Sequence, residues 1–143
     1  ACLVGSERCI RDRNIGGISN ITLIKKPTGV LEISSKDIGP GNCLIDSWVR
    51  KNSNKKYDNN GELATIGKKN EIILEQAQEL YRNRFNKEKK SFDTGDFDIS
   101  FSRGLSLEDG SATLTEFTAS ILADSLIEIY KDEISLKEIL ICG

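Results

Sequence analysis

Two glycine-bearing runs, Arg13-Asn14-Ile15-Gly16-Gly17-Ile18-Ser19-Asn20-Ile21-Thr22 and Asp37-Ile38-Gly39-Pro40-Gly41-Asn42, constrain the fold of this chain more than any other feature. Each sets glycines at a turn beside amide or carboxylate side chains, among β-branched residues. A turn without Cβ atoms lets the backbone approach a phosphate, and its N–H groups line an anion site. Two such turns so close in sequence point to one pocket. Taken alone, each motif also has a ligand-free reading: a Gly-Gly turn that only reverses the chain, and a GPG turn that only caps a helix.

The segment from Asn14 to Ile24 reads as two short strands joined by a tight turn, with Lys25 to Gly29 as the next turn. Val30, Leu31 and Ile33 suggest a third strand ending before Asp37, so the three form an antiparallel meander. Beyond Asn42, an N-cap residue type, Leu44, Ile45, Trp48 and Val49 fall at helical spacing to about Lys51. Residues 51–69, rich in Lys, Asn and Gly, read as a long surface connection.

Glu71 to Arg84 is a second amphipathic helix with Ile72, Leu74, Ala77, Leu80 and Tyr81 as its buried positions. Lys87 to Arg103 reads as a loop anchored by Phe92, Phe97 and Phe101. From Glu108, Leu114, Phe117, Ile121, Leu122, Leu126, Ile129 and Tyr130 form one apolar stripe on a long helix, with Asp109 or Ser111 as cap. Lys131 to Lys137 is the turn out of it, and Glu138 to Cys142 a buried strand of the parallel type.

A net charge of −2 with mixed signs supplies neither a basic stripe for nucleic acid nor a polybasic membrane patch. No apolar run approaches the roughly 18 residues of a membrane span, and Glu7 and Arg8 fall where a signal peptide is apolar. The expected setting is cytoplasmic. Cys2, Cys9, Cys43 and Cys142 form no CxxC pair and read as reduced, partly buried thiols. Without histidine, Ser-His and Cys-His catalysis and His-bearing zinc sites are excluded for this chain. The absence of Met and the strand that stops at Gly143 suggest a segment of a longer protein.

In that order, NIGGISNIT, DIGPGN, DGSATLTEFTA and ILICG resemble the NIGGIANIT, DTGPGN, DGAATLTAFTA and LLVCGGG motifs of the anhydro-N-acetylmuramic acid kinases, sugar kinases of the actin and hexokinase superfamily. The resemblance spans nearly the whole chain. It implies an α/β fold, a ribonuclease H-like actin-type ATPase half domain whose mixed sheet starts with the three-strand meander. Residues 1–143 would be one partial domain, the C-terminal lobe of a two-lobe kinase, with a helical insert over about 43–105.

By the same resemblance, Asn14, Gly16, Gly17, Ile18 and Asn20 belong to a phosphate-binding hairpin, and Gly143 begins the turn that meets the adenosine. Asp37, Gly39, Gly41 and Asn42 line the cleft. Asp46, one helical turn after Asn42, serves that cleft, a cap or solvent. The implied ligands are ATP, Mg2+ and an amino sugar, with a homodimer as the family assembly. The family's GTSxDG phosphate loop and the catalytic Asp of its DFR motif have no counterpart here and are expected upstream of Ala1, so no catalytic residue is assigned. The chain departs from the family at Asn14, where many superfamily members have Asp, at Ile38 in place of Thr, and at Arg11-Asp12-Arg13, where apolar residues are usual. A non-catalytic nucleotide- or partner-binding domain of the same half fold, and a related sugar kinase, remain as alternatives.

Overall fold

The computed structural model describes residues 10–25, 30–84, 93–132 and 138–142. Strands β1 (Ile10–Ile15), β2 (Ile18–Lys25) and β3 (Glu32–Pro40) form the expected antiparallel meander, and β4 (Glu138–Cys142) pairs parallel with β1, giving the order β3-β2-β1-β4. The helices are α1 (Cys43–Asn52), α2 (Glu62–Ile66), α3 (Glu71–Arg84) and α4 (Leu107–Asp132). The Lys26–Gly29 part of the second turn, Phe92 and Gly143 lie outside the described residues, as do Cys2 and Cys9.

Two strand boundaries differ from expectation. β1 already includes Ile10 and carries Arg11-Asp12-Arg13, because ladders to β2 and β4 on both sides satisfy the backbone whatever the side chains. β3 runs through Asp37 to Pro40 instead of stopping before it. A register irregularity opposite Ser19/Asn20 sets Asn20 against Asp37 and Ser19 against Gly39, leaving Ile38 as the extra residue. Ile38 is buried with Ile21 and Leu122, so the position that is Thr in the family pattern is a core position here. Val30, at 65% exposure, Leu31 and Ile33 lie at the open end of this edge strand.

The connection over 51–69 is not all loop. Asp58 accepts the N–H groups of Leu63 and Ala64 at 2.8 and 2.9 Å, and this capping starts the one-turn helix α2. Gly61 takes φ +68° before it, a conformation that glycine enters without a Cβ penalty. α2 leads into α3, which buries Leu74 and Ala77 and half-buries Tyr81 against α4. Ile72 and Leu80, expected inside, are 69% and 65% exposed, because α3 meets the core along a narrow stripe.

α4 is the scaffold. Its N-terminus is capped by Ser106, whose Oγ accepts the Asp109 N–H at 3.0 Å, one turn earlier than the caps expected from sequence. Leu114, Phe117, Ile121 and Leu122 are buried as expected, with Leu126 and Ile129 partly buried against the sheet; the Tyr130 side chain is not among those described. Phe117 meets Tyr81 edge-on at 5.9 Å and Phe101 at 5.3 Å, while Phe97 stacks on Tyr81 at 6.3 Å. These rings anchor the 93–105 loop as the phenylalanine spacing suggested.

Trp48 is core, at 4% exposure, and donates its indole N–H to the Leu107 carbonyl at 3.0 Å. Its ring lies directly on Gly110, the glycine of DGSATL, where an added Cβ would overlap it. Replacing Gly110 by Ala gains about 1 kcal/mol of helix propensity, but overpacking against a pinned indole costs about 1–3 kcal/mol. Gly110→Ala is therefore expected to lower the urea midpoint. Gly95→Ala, with open space around its Cβ, should leave it within about 0.5 kcal/mol of the parent. Equal midpoints for the two variants would refute this packing account.

Candidate functional site

The two glycine motifs meet, and they meet through backbone. Gly41 N–H and Cys43 N–H both donate to the Gly17 carbonyl, at 3.0 and 3.1 Å, and Asn42 N–H donates to the Gly16 carbonyl at 2.7 Å. Asn42 also donates through Nδ2 to the Ile15 carbonyl at 3.4 Å. A Cβ on Gly41 would overlap the Gly16 carbonyl oxygen, so this glycine is required by the junction itself. Gly39, with φ +154°, is required by Ile121 and the Tyr81 hydroxyl, which fill the space beside it.

This arrangement corrects two expectations. Asn42 makes no side-chain cap of α1, because its amide is engaged with Ile15. The first N–H groups of α1 do not wait for an anion either, since those of Asn42 and Cys43 are bound to the hairpin carbonyls. The GPG turn is held from behind by hydroxyls: Ser19 donates to the Pro40 carbonyl at 3.3 Å, Thr118 to that of Gly41 at 3.4 Å and Ser125 to that of Ile38 at 3.2 Å.

The hairpin nonetheless keeps an outward face. In a planar trans peptide the C=O and N–H point in opposite directions, and no peptide among the described residues is cis. The Gly16 and Gly17 carbonyls point at α1, so the N–H groups of Gly17 and Ile18 point away from it. Gly17 is exposed, and a Cβ there would find only Cys43 Cβ and Thr94 Cγ2, each at 4.0 Å. Packing among the described residues thus does not demand this glycine.

Register places Asn14, Asn20 and Asp37 side by side across β1, β2 and β3, with Cys142 of β4 beyond Asn14. Asp46, partly exposed, lies 4.0 Å from Arg50, one turn along α1 from the hairpin. It lines a different hollow, together with Asn42. Burial pushes the Cys43 thiol up, and it pushes the Tyr81 phenol up to about 12. Thr94, Thr118 and Ser125 were not anticipated; the Ser/Thr-rich helix was the only sequence signal for the last two.

Among the described residues, no group of three or more His, Cys, Asp or Glu could hold a metal ion. The described side chains do not by themselves supply an acidic shell for a magnesium ion. No helix among the described residues is long and apolar enough to cross a membrane.

Residues 4–143 match the profile of the anhydro-N-acetylmuramic acid kinase family. The chain belongs to this family. It is 47% identical over 131 residues to the anhydro-N-acetylmuramic acid kinase of Pelagibacter ubique, an overlap of 91% of this chain and 35% of that protein. Identity to the kinase of Methylobacterium nodulans is 37%, over 85% of the chain and 32% of the relative. For the kinase of Saccharophagus degradans it is also 37%, over 96% and 37%. The chain thus spans about a third of the length of the anhydro-N-acetylmuramic acid kinases it matches.

The contrast between Gly41 and Gly17 is testable. Gly41→Ala should destabilise the protein by about 1–3 kcal/mol, since the methyl meets backbone, while Gly17→Ala should stay within about 0.5 kcal/mol of the parent in chemical denaturation. A Gly17→Ala loss as large as that of Gly41→Ala would show that the hairpin glycine is structural. For Cys43, the raised thiol pKa means that less thiolate forms at a given pH. Its alkylation by iodoacetamide, followed on its own peptide by mass spectrometry, should have a midpoint above the roughly 8.5 of a free cysteine; a midpoint at or below that value contradicts the burial seen here.

Proposed function

We propose that this chain is a C-terminal-lobe segment of a cytoplasmic kinase that opens the anhydro ring of 1,6-anhydro-N-acetylmuramic acid with water. The enzyme transfers the γ-phosphoryl of magnesium-ATP to the freed 6-oxygen, giving N-acetylmuramic acid 6-phosphate and ADP in peptidoglycan recycling. Water supplies the hydroxyl at C1, its proton leaves to a base, and the released 6-oxygen takes the phosphoryl group. The base and the first phosphate loop are assigned to the lobe that precedes this segment.

The observation that carries the reading is the hairpin. Its carbonyls are occupied by the first turn of α1, its N–H groups at Gly17 and Ile18 face the other way, and Gly17 itself is exposed. Gly16 contributes by fixing Asn42, and strand register sets Asn14 opposite Asn20 and Asn20 opposite Asp37. Gly39 and Gly41 act by shaping the turn. Asn42 and Asp46 border the sugar side, and Gly143 starts the adenosine turn. A meander followed by a strand parallel to β1, with a helix between, supports the ribonuclease H-like half domain with an insert over about 43–105.

Magnesium-ATP supplies the phosphoryl group and charge neutralisation when bound. The hairpin holds and orients phosphate oxygens without a side chain in the way. In the full-length protein, incubation with magnesium-ATP and anhydro-N-acetylmuramic acid should give a 6-phosphate with an opened ring by phosphorus and proton NMR. Gly17→Val should weaken magnesium-ATP binding in calorimetry by roughly tenfold or more while the melting temperature holds. Unchanged affinity in a folded Gly17→Val protein would falsify the hairpin assignment. Preference for an ordinary hexose would favour a related sugar kinase.

A further inference from the structure

Strand β3 ends the described sheet, in the order β3-β2-β1-β4, so its outer side presents backbone N–H and C=O groups to no neighbouring strand of that sheet. Glu32 to Lys36 are exposed throughout, and Leu31 and Ile33, at 59% and 61% exposure, add apolar surface to the same stretch. Proteins blunt such an edge with proline, a bulge or lysine. From Glu32 to Lys36 there is no proline and the pairing with β2 is regular, the bulge coming later at Ile38. Lys36 alone remains as a blunting charge, and Glu32 lies on the same strand face.

The two charges stand about 13 Å apart along the strand, too far to pair with each other. Neither makes an ion pair among the described residues. They can, however, pair between copies. When two identical strands meet antiparallel about a twofold axis, residues directly opposite share a face and neighbours along a strand alternate faces. The axis must therefore pass between one residue and its own copy.

Few choices of that residue exist. An axis at Glu32 or at Lys36 sets like charges together. At Ile33 the axis puts Lys36 against Val30, and at Ser35 it puts Glu32 against the buried Ile38. At Ser34 it sets Glu32 opposite Lys36 of the second copy, twice, and makes the two Ile33 side chains diagonal neighbours. We infer that the exposed edge of β3 docks a second copy of this chain, antiparallel about a twofold axis at Ser34, with Glu32 and Lys36 paired across it. A contact over Glu32–Lys36 is far shorter than the roughly 20–30 residues a side of a standard interface, so the association is reversible and depends on concentration. The inference stands or falls independently of the kinase reading.

The test is sedimentation equilibrium of the full-length protein up to roughly 1 mM, where even weak specific contacts form. The parent should show a reversible dimer. Glu32→Lys and Lys36→Glu each set like charges opposite one another twice and should weaken association by roughly tenfold. The double exchange Glu32→Lys/Lys36→Glu restores opposite charges and should return the Kd to within about twofold of the parent. Melting temperatures should hold, because both side chains are exposed. Ser34→Cys should cross-link between copies under mild oxidation faster than Ser35→Cys, since only position 34 faces its own copy. The parent, with its four native cysteines, gives the background rate. A parent monomeric throughout, or single reversals that leave the Kd within about twofold, overturns the β3 contact. A double exchange that fails to restore association, or equal cross-linking at positions 34 and 35, overturns it as well.

Discussion

Three backbone hydrogen bonds, from the N–H groups of Gly41, Asn42 and Cys43 to the carbonyls of Gly16 and Gly17, hold the rest of the structure in register. Each is worth about 0.5–1.5 kcal/mol net. Their positional effect is larger, because they fasten the tip of the β1–β2 hairpin to the first turn of α1. The Gly41 backbone lies so close to Gly16 that only hydrogen fits between them. The hairpin is thereby oriented with its N–H groups outward, and α1 leaves the sheet in one direction only.

α4 provides the back wall. It contributes hydroxyls to the strand end and turn through Thr118 and Ser125, and apolar side chains to both layers through Leu114, Phe117, Ile121 and Leu122. The helical excursion from α1 to the 93–105 loop hangs on the same helix. Trp48 lies on Gly110, Asp109 accepts the Lys68 N–H at 2.8 Å, Thr113 accepts the Asn70 N–H at 3.0 Å, and Phe101 reaches Phe117. Any ligand held at the hairpin therefore rests on a helix that contributes to both core clusters.

Much of this was legible from local pattern. The meander follows from β-branched runs separated by turns, and α4 follows from a helical apolar stripe that tertiary packing had no reason to override. The errors have physical causes. The third strand, expected to end before Asp37, runs on to Pro40 because a bulge at Ile38 lets the pairing with β2 continue. Ile72 and Leu80, expected inside α3, are exposed because only a narrow stripe of that helix meets the core. α2 escaped notice because its signal is a single Asp58 cap and a left-handed Gly61 within a polar stretch, too short to show a period.

The sequence by itself determined which chemistry this chain has available. Without histidine it cannot run Ser-His or Cys-His catalysis, its ordered glycine motifs mark the family, and its periodicities set the order of strands and helices. Only the tertiary structure decided what each glycine does. Gly39, Gly41 and Gly110 are absences that Ile121, the Gly16 carbonyl and Trp48 fill from elsewhere in the chain, whereas a Cβ at Gly17 would make only ordinary contacts with Cys43 and Thr94 at 4.0 Å. All four look alike in sequence, because a missing side chain carries no record of what occupies its place; that depends on residues brought near by long-range packing.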